Sequence, residues 1–569
     1  MNGQFVWDDD AWTLHLEKLL RDFSGLKAIW TNLTALQQYY PFTATTFWID
    51  YHLWGFWTLP YHVENLLLHL LAVGLLWRLL TRLEVAGAWL ASAIFALHPM
   101  MVESVGWITE RKNVLAQVLF LGALLCYGRF TNYWKQETQG KEEDRRGYAF
   151  WYYAGALLLF VAAYLAKATV FCLPAVLLLI CWWKRGCFRF AADLVPTLPF
   201  FGIAIGLGMV TSWLEHTHVG ASGPDWNLSF VERCLSAGRA LWFYTGKLLW
   251  PTSLCFIYPR WQINPHTASQ WLWPILAIGV ALALRFARKS IGRGPLTAVL
   301  FFAGSLFPLL GFVNGYFMRY SFVCDHWTYL PSLGLITLGA ACVTRLSDHF
   351  QAQRAFYLSA VLVLLTFSII TWHHSRIFTD SETLYRTTLV LNPNADLAHN
   401  NLGLLLFRAG ETEEAITHFE RAVEIRPTSA HAHNNLANAY RMTARAREAA
   451  EHYEASLKIE PGNVSTRNNL AFLLATSADA SVRNGPRAVE LAEQARQVTA
   501  GKNPIVLATL AAAYAETDRF GDAIKTVEFA LQLAAAQTNS PFMQALQAQL
   551  ELYLKGVPCR ETGAQEESR

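Results

Sequence analysis

Charge is scarce in this chain. Asp, Glu, Lys and Arg make up 16% of its 569 residues, where a soluble protein carries roughly a quarter. The shortage is local: residues 60–375 hold most of the apolar runs, and 376–569 have the composition of an ordinary soluble helical protein. A net charge of +3 on this length gives no sign of a nucleic-acid partner. Paired cysteines are missing too. The nine Cys stand singly, with no C-x-x-C, so neither a disulfide framework nor a thiolate metal site is expected. There is no signal peptide. No Walker loop, dinucleotide fingerprint, HExxH or nucleophile elbow appears, which disfavours soluble nucleotide chemistry.

Hydrophobic residues, at 53%, are what the chain has in excess. Ten apolar stretches are long enough, or nearly so, to cross a hydrocarbon core of about 30 Å. They lie near 62–82, 84–101, 113–131, 148–166, 168–183, 191–213, 269–287, 295–312, 328–346 and 354–372. Loops bearing Arg78 and Arg82, Arg145 and Arg146, Lys184 and Arg185, Arg288 and Lys289, and Arg345 with Arg354 then share one side. The positive-inside rule makes that side cytoplasmic. Residues 239–257 are read as interfacial or re-entrant, because a span there would break the alternation. The N-terminus, the loops 99–112, 214–268 and 313–327 and everything after 372 fall on the outer side. An outer N-terminus without an export signal implies either a further membrane helix upstream of Met1 or a span count off by one.

The last third repeats. NNLG at 400–403 and NNLA at 434–437 and 468–471 recur every 34 residues, with Pro393, Pro427 and Pro461 and the pairs Ala415/Phe419 and Ala449/Tyr453 in step. Period and pattern are those of the tetratricopeptide repeat, a helical solenoid with a concave face. Asn401, Asn435 and Asn469 occupy one repeat position. Such a ladder can hold an extended acceptor peptide by its backbone, or simply bond neighbouring backbone. The expected fold class is therefore all-α, a polytopic transmembrane helical bundle followed by a tetratricopeptide-repeat α-solenoid. The expected divisions are an outer segment 1–61, a membrane domain 62–374, a repeat domain 375–540 and a tail 541–569 that is disordered beyond Pro558.

Ionisable residues gather in the outer loops. FVWDDDAW sets Asp8, Asp9 and Asp10 side by side, and adjacent carboxylates raise one another's pKa, as suits a general base for an alcohol; a solvated acidic turn is the bland alternative. In HPMMVESVGWITERKN, a helix would put Glu103, Trp107 and Arg111 on one face, with Arg111 and Lys112 able to bind phosphate or merely to snorkel. Arg319, Asp325 and His326 stand where a membrane helix begins, a costly position that usually marks function. Lys167, alone between two spans, is a snorkelling lysine or a second phosphate contact. No second carboxylate cluster completes a metal site with the Asp triplet, and no cofactor is indicated. A catalytic set on these loops needs a donor delivered through the membrane, which a polyprenyl-phosphate sugar would meet.

In FVWDDD, YHVENLLLH (61–69), HPMMVESVGWITERKN (98–113), LWFYTGKLLWP with IYPRW (241–261), MRYSFVCDHWTYLPSLG (318–334) and the NNLG repeats, the chain resembles the transmembrane and tetratricopeptide-repeat O-mannosyltransferases, and more closely their bacterial relatives. The resemblance implies a C-type glycosyltransferase fold, a dolichyl- or polyprenyl-phosphate mannose donor and Ser/Thr acceptors held near the repeats. It implies Asp8 or Asp9 as the base, Glu103 as the residue that orients the site, and Arg111, Arg319 and His326 on the departing phosphate, with inversion at the sugar. It departs in lacking the membrane helix expected before the Asp motif and in having three aspartates where two would do. The membrane would be the bacterial inner membrane with periplasmic repeats, or the endoplasmic reticulum with lumenal repeats in a eukaryote. A non-enzymatic scaffold that recruits envelope proteins through its repeats is the alternative, but an adaptor needs one anchor rather than ten spans. A transporter, which would place its ionisable residues within the spans, ranks last.

Overall fold

The structure, a computed structural model, describes residues 3–9, 17–131, 142–221, 223–535 and 540–561. It divides into two compact units, Met1–Pro393 and Asn394–Arg569. Among the described residues there is no β-strand.

The first unit contains α1 (Glu17–Leu20), α2 (Phe23–Thr31), α3 (Pro41–Trp54), α4 (Thr58–Arg82), α5 (Ala88–Leu97), α6 (Val102–Gly106), α7 (Arg111–Phe130), α8 (Glu142–Ala166), α9 (Leu173–Arg185), α10 (Leu198–Thr217), α11 (Phe230–Leu249), α12 (Ala268–Ile291), α13 (Gly294–Leu306), α14 (Ser332–His349), α15 (Gln353–Ser375) and α16 (Ser381–Leu391). Among the described residues, seven of its helical segments are long and apolar enough to cross a membrane, or eight if α5 with the turns after it is one broken span. Ten were expected. The stretch 84–101 is interrupted at His98–Pro99, where the chain bends by 57°; Pro99 begins a new turn, and the His98 ring accepts from the Met100 N–H at 3.2 Å. The stretch 295–312 yields only the 13-residue α13 and a short 3₁₀ turn, because Pro308 and Gly311 (φ +92) end it. The stretch 328–346 starts late, at Ser332, after a separate turn at Asp325–Thr328. No residue of α12 is buried, so its apolar surface faces lipid in a membrane protein.

The segment 1–61, expected as a loop, is largely helical. Asp22 caps α2 by accepting from the Gly25 N–H, and Pro41 stands in the first turn of α3. These helices share a small core of Leu20, Ile29, Leu36, Ala44, Phe47, Tyr61 and Ile108. Ahead of them, residues 3–6 have no regular secondary structure. The Gln4 N–H donates to the Thr379 carbonyl at 2.7 Å, and the Thr58 hydroxyl donates to the Gly3 carbonyl at 2.7 Å. This strap leads the chain to Trp7, held at φ +54, and so to the aspartates.

The second unit alternates short helices: α17 (Asp396–Arg408), α18 (Thr412–Ile425), α19 (Ala430–Met442), α20 (Ala446–Ile459), α21 (Val464–Thr476), α22 (Gly485–Val498), α23 (Pro504–Glu516), α24 (Phe520–Ala535) and α25 (Ser540–Leu554). Ala415, Phe419, Ala449 and Tyr453 are fully buried between paired helices, the packing that the 34-residue pattern requires. The unit begins at Asn394 rather than 375, since α16 belongs to the membrane unit. The tail expected from 541 opens with a helix whose Leu546 and Tyr553 are buried, and beyond Pro558 the Glu561 N–H donates to the Thr476 carbonyl at 2.8 Å.

Gly403 stands where the later repeats have alanine. A Cβ there would lie 2.8 Å from the Phe419 ring and 3.2 Å from the Ala415 carbonyl. Gly403→Val should therefore overpack the first repeat by about 1–3 kcal/mol. Limited proteolysis of the full chain on heating should show cleavage within 394–425 at lower temperature than in the parent. Unchanged resistance would contradict this packing.

Candidate active site

The 98–113 string is not one helix. α6 ends at Gly106, Trp107 is extended (φ −86, ψ 120), Ile108–Glu110 form a 3₁₀ turn and α7 starts at Arg111. The expected single face of Glu103, Trp107 and Arg111 is thereby broken, and the three side chains serve two different clusters.

The first cluster surrounds Glu110, which is buried. Lys112 Nζ lies 2.9 Å from one of its oxygens and Lys167 Nζ 2.9 Å from the other. Asn113 donates to the same carboxylate, to Ser104 Oγ at 3.1 Å and to the His326 carbonyl at 3.2 Å. His326 Nε2 stands 4.0 Å from Glu110. Its opposite nitrogen, Nδ1, is 2.9 Å from Glu103, whose second oxygen accepts the His326 backbone N–H at 3.0 Å. Glu103 thus fixes the ring and its backbone together. Burial at the head of α9 pulls Lys167 down to about 8, against the opposing attraction of Glu110.

The aspartates meet this cluster through Thr109. Asp8 accepts the Thr109 hydroxyl at 2.7 Å. Asp9 accepts the Thr109 backbone N–H at 2.8 Å with one oxygen and the Val6 N–H at 2.8 Å with the other. Asp9 is wholly buried, whereas Asp8 is partly exposed. Burial pushes Asp8 above the ordinary carboxylate range, with Lys112 opposing; burial and then the Asp8 charge push Asp9 well above it. Asp10 lies outside the described residues. Aromatic rings wall the turn: Trp107 meets Phe256 and His326 edge-on, and Trp7 meets Phe256 at 5.0 Å. Two buried polar side chains here, the Trp107 Nε1–H and the Gln117 amide, have no hydrogen-bond partner among the described residues. Gln117 lines a small cavity with Asn113, Lys167 and His326.

Two expected phosphate ligands are elsewhere. Arg111 is fully buried, ion-paired with Asp50, 3.2 Å from Glu64, bonded to Asn65 at 3.0 Å and stacked 4.7 Å over Phe47. With its fork used in this way, it braces α3 and α4 against the turn. Arg319 pairs with Asp225 at 3.4 Å, beside Arg260 at 3.7 Å, and packs over Trp226 and Tyr320. Sequence reasoning does not single out Glu110, Thr109 and Asn113; one acidic residue set against two basic ones in TERKN is their only signal.

Among the repeat asparagines, Asn435 donates to Asn400 at 3.0 Å, and Asn469 donates to Asn438 at 3.1 Å and Asn434 at 3.4 Å. Asn401 accepts from Asn400 at 3.0 Å. The ladder exists, and its donors couple one repeat to the next. Among the described residues no group of three or more His, Cys, Asp or Glu could hold a metal ion.

A many-helix membrane unit with a buried acid–base cluster at its helix ends, followed by a repeat solenoid, defines a class of membrane protein rather than a soluble enzyme. A tetratricopeptide-repeat family model matches residues 394–460. The protein O-mannosyl-transferase F38B6.6 of Caenorhabditis elegans is 26% identical over 447 residues, 75% of this chain and 60% of its own length. Protein O-mannosyl-transferase TMTC1 of Homo sapiens is 26% identical over 478 residues (75% and 53%), and TMTC4 of Mus musculus 25% over 481 residues (74% and 63%). The chain spans between about half and two thirds of the length of these curated relatives. The crystal structure of yeast Tom70 aligns with 85% of this chain and 96% of its own at 13% identity, with a TM-score of 0.26, too loose a superposition to carry any inference. Over about three quarters of its length the chain is similar to the transmembrane and tetratricopeptide-repeat protein O-mannosyl-transferases.

Removing the Arg111 charge should unfold rather than disarm. Arg111→Met strands the Asp50 carboxylate in the interior and should cost about 3–5 kcal/mol, most of it recovered with Asp50→Leu. Thermal melts of the single and double variants check this. A stable Arg111→Met protein that has lost only donor affinity would return Arg111 to the phosphate.

Proposed function

We propose that this protein transfers a sugar, mannose by kinship with its relatives, from a polyprenyl-phosphate donor to Ser/Thr hydroxyls of exported polypeptides. The observation that carries the reading is the turn at 107–113, which holds a partly exposed carboxylate, Asp8, on Thr109 within the field of Lys112 and His326, while Lys112 and Lys167 share the Glu110 carboxylate. Asp8 is the base: one oxygen is anchored by Thr109, and the other has no partner among the described residues. Asp9, with both oxygens on backbone N–H groups, shapes the turn instead. The acceptor hydroxyl gives its proton to Asp8 as its oxygen bonds to the anomeric carbon. The bond from that carbon to the phosphate oxygen breaks, and its electron pair leaves with the lipid phosphate. Attack opposite the leaving group inverts the sugar. Lys112, Lys167 and His326 hold the growing phosphate charge, while Glu110 keeps the two lysines in place and Glu103 orients His326. Trp107 and Gln117 supply further donors to the sugar or phosphate. No metal or cofactor enters this scheme.

By the basic loops at the far helix ends, the cluster faces the periplasm or the lumen. The chain leaves α15 on the cluster's side, since Thr379 holds the N-terminal strap, and the repeats are the part of the chain that would hold the acceptor. The faces of Asn401, Asn435 and Asn469 not used between repeats are where its backbone would lie.

Asp8→Asn keeps the Thr109 bond but removes the base, and should lower kcat for transfer of labelled mannose by about 10²–10⁴ with donor KM little changed. Retained activity would overturn the assignment. In the parent, kcat/KM should fall with acid as Asp8 is protonated, at a pH above the ordinary carboxylate range. A separate loss follows from Lys167, which gives up its charge as pH rises through about 8. Donor KM should climb there, and Lys167→Met should give a high, pH-independent KM. A parent KM that stays flat across pH 8 would remove Lys167 from the phosphate.

A further inference from the structure

The membrane unit holds a second, larger cavity of about 280 Å³, and its position along the helices is informative. In α4, Glu64 and Asn65 belong to the Arg111 cluster, while Leu79 and Leu83 line the cavity. Along α7 it is Asn113 against Phe120 and Leu124, and along α13 Ser305 against Gly294 and Phe301. For α14 the turn before it carries His326, and its far end carries Arg345. At about 1.5 Å per residue, Asn65 and Leu83 are roughly 27 Å apart, close to the thickness of a hydrocarbon core. The cavity therefore opens at the membrane face opposite the acid–base cluster.

Its wall is aliphatic and aromatic, and its mouth carries Arg293 and Arg345 together with Glu84, whose mostly exposed carboxylate lies 4.0 Å from Lys184. Neither guanidinium has an ion-pair partner among the described residues; Arg293 makes only a 3.4 Å approach to the Trp183 carbonyl. One turn inside the mouth, Thr297 lines the cavity with a buried hydroxyl that has no hydrogen-bond partner among the described residues. Two unpaired cations, a hydroxyl donor about 6 Å deeper and then an apolar chamber match, in order, the phosphate, the ester carbonyl and the acyl chain of a phospholipid.

We infer that this cavity is a binding site for an anionic phospholipid, its phosphate on Arg293 and Arg345, an ester carbonyl on Thr297 and one acyl chain between α4, α7, α13 and α14. A polyprenyl phosphate, which has no ester carbonyl, leaves Thr297 unmet. The site thus differs in ligand and in membrane face from the one that handles the donor.

Native mass spectrometry of the detergent-purified full chain tests this, with phosphatidylglycerol, phosphatidylcholine and polyprenyl phosphate added in turn. Phosphatidylglycerol should be retained at least ten-fold more strongly than phosphatidylcholine. That preference should vanish in Arg293→Gln, Arg345→Gln. Ala298→Leu, which fills the chamber from α13 and keeps both arginines, should lower phosphatidylglycerol retention as well, and thermal melts should show both variants folded. Equal retention of the two phospholipids, or retention untouched by Ala298→Leu, would overturn the inference. So would displacement of phosphatidylglycerol by equimolar polyprenyl phosphate, since the cavity would then be a donor-lipid site.

Discussion

A carboxylate at the head of a membrane helix has no water to rely on, and Glu110 survives there because Lys112 and Lys167 reach it from two sides at 2.9 Å each. Taking such charges from water costs several kcal/mol apiece, and only close pairing and full hydrogen bonding offset it. Much of the architecture serves that condition. The break after α6 turns Glu110 inward, the gap between α8 and α9 delivers Lys167, and the turn before α14 delivers His326. In the proposed mechanism the two lysines held at one carboxylate are cations already ordered and partly desolvated before a phosphate arrives, the preorganised charge that such catalysis uses.

The N-terminal aspartates depend on the same turn. Thr109 binds Asp9 with its backbone and Asp8 with its hydroxyl, so the strap of residues 3–9 and the Glu110 cluster are parts of one construction. Asp50 and Arg111 stabilise it from the other side. Three separate parts of the chain thus meet at one turn: the strap through Asp8 and Asp9 on Thr109, Lys112 within the turn itself, and Lys167 through Glu110.

What the sequence allowed to be read follows from periodicity. The 34-residue recurrence and the A-x₃-F/Y pairs are local, and the buried Phe419 and Tyr453 follow directly from them. Long apolar runs likewise announced most membrane helices. Direction was harder. Whether Arg111 or Glu110 faces the aspartates turns on one extended residue, Trp107, and continuing the helix through it misassigns both. Lys167 could be noticed as isolated, but its partner lies 57 residues away in the chain. The asparagine ladder was visible as a repeat, yet only packed neighbours reveal that Asn435 and Asn469 spend their donors on adjacent repeats.

In the proposed mechanism one centre, Asp8 as base with Lys112, Lys167 and His326 on the phosphate, performs a direct displacement at the anomeric carbon. The stereochemistry of transfer tests it most directly. A β-linked polyprenyl-phosphate mannose and a Ser/Thr acceptor peptide are incubated with the full chain, and the anomeric configuration of the product is read by NMR. The account predicts a purely α-linked product. A β-linked product would mean two displacements and a covalent intermediate, and would contradict a centre that has a single base.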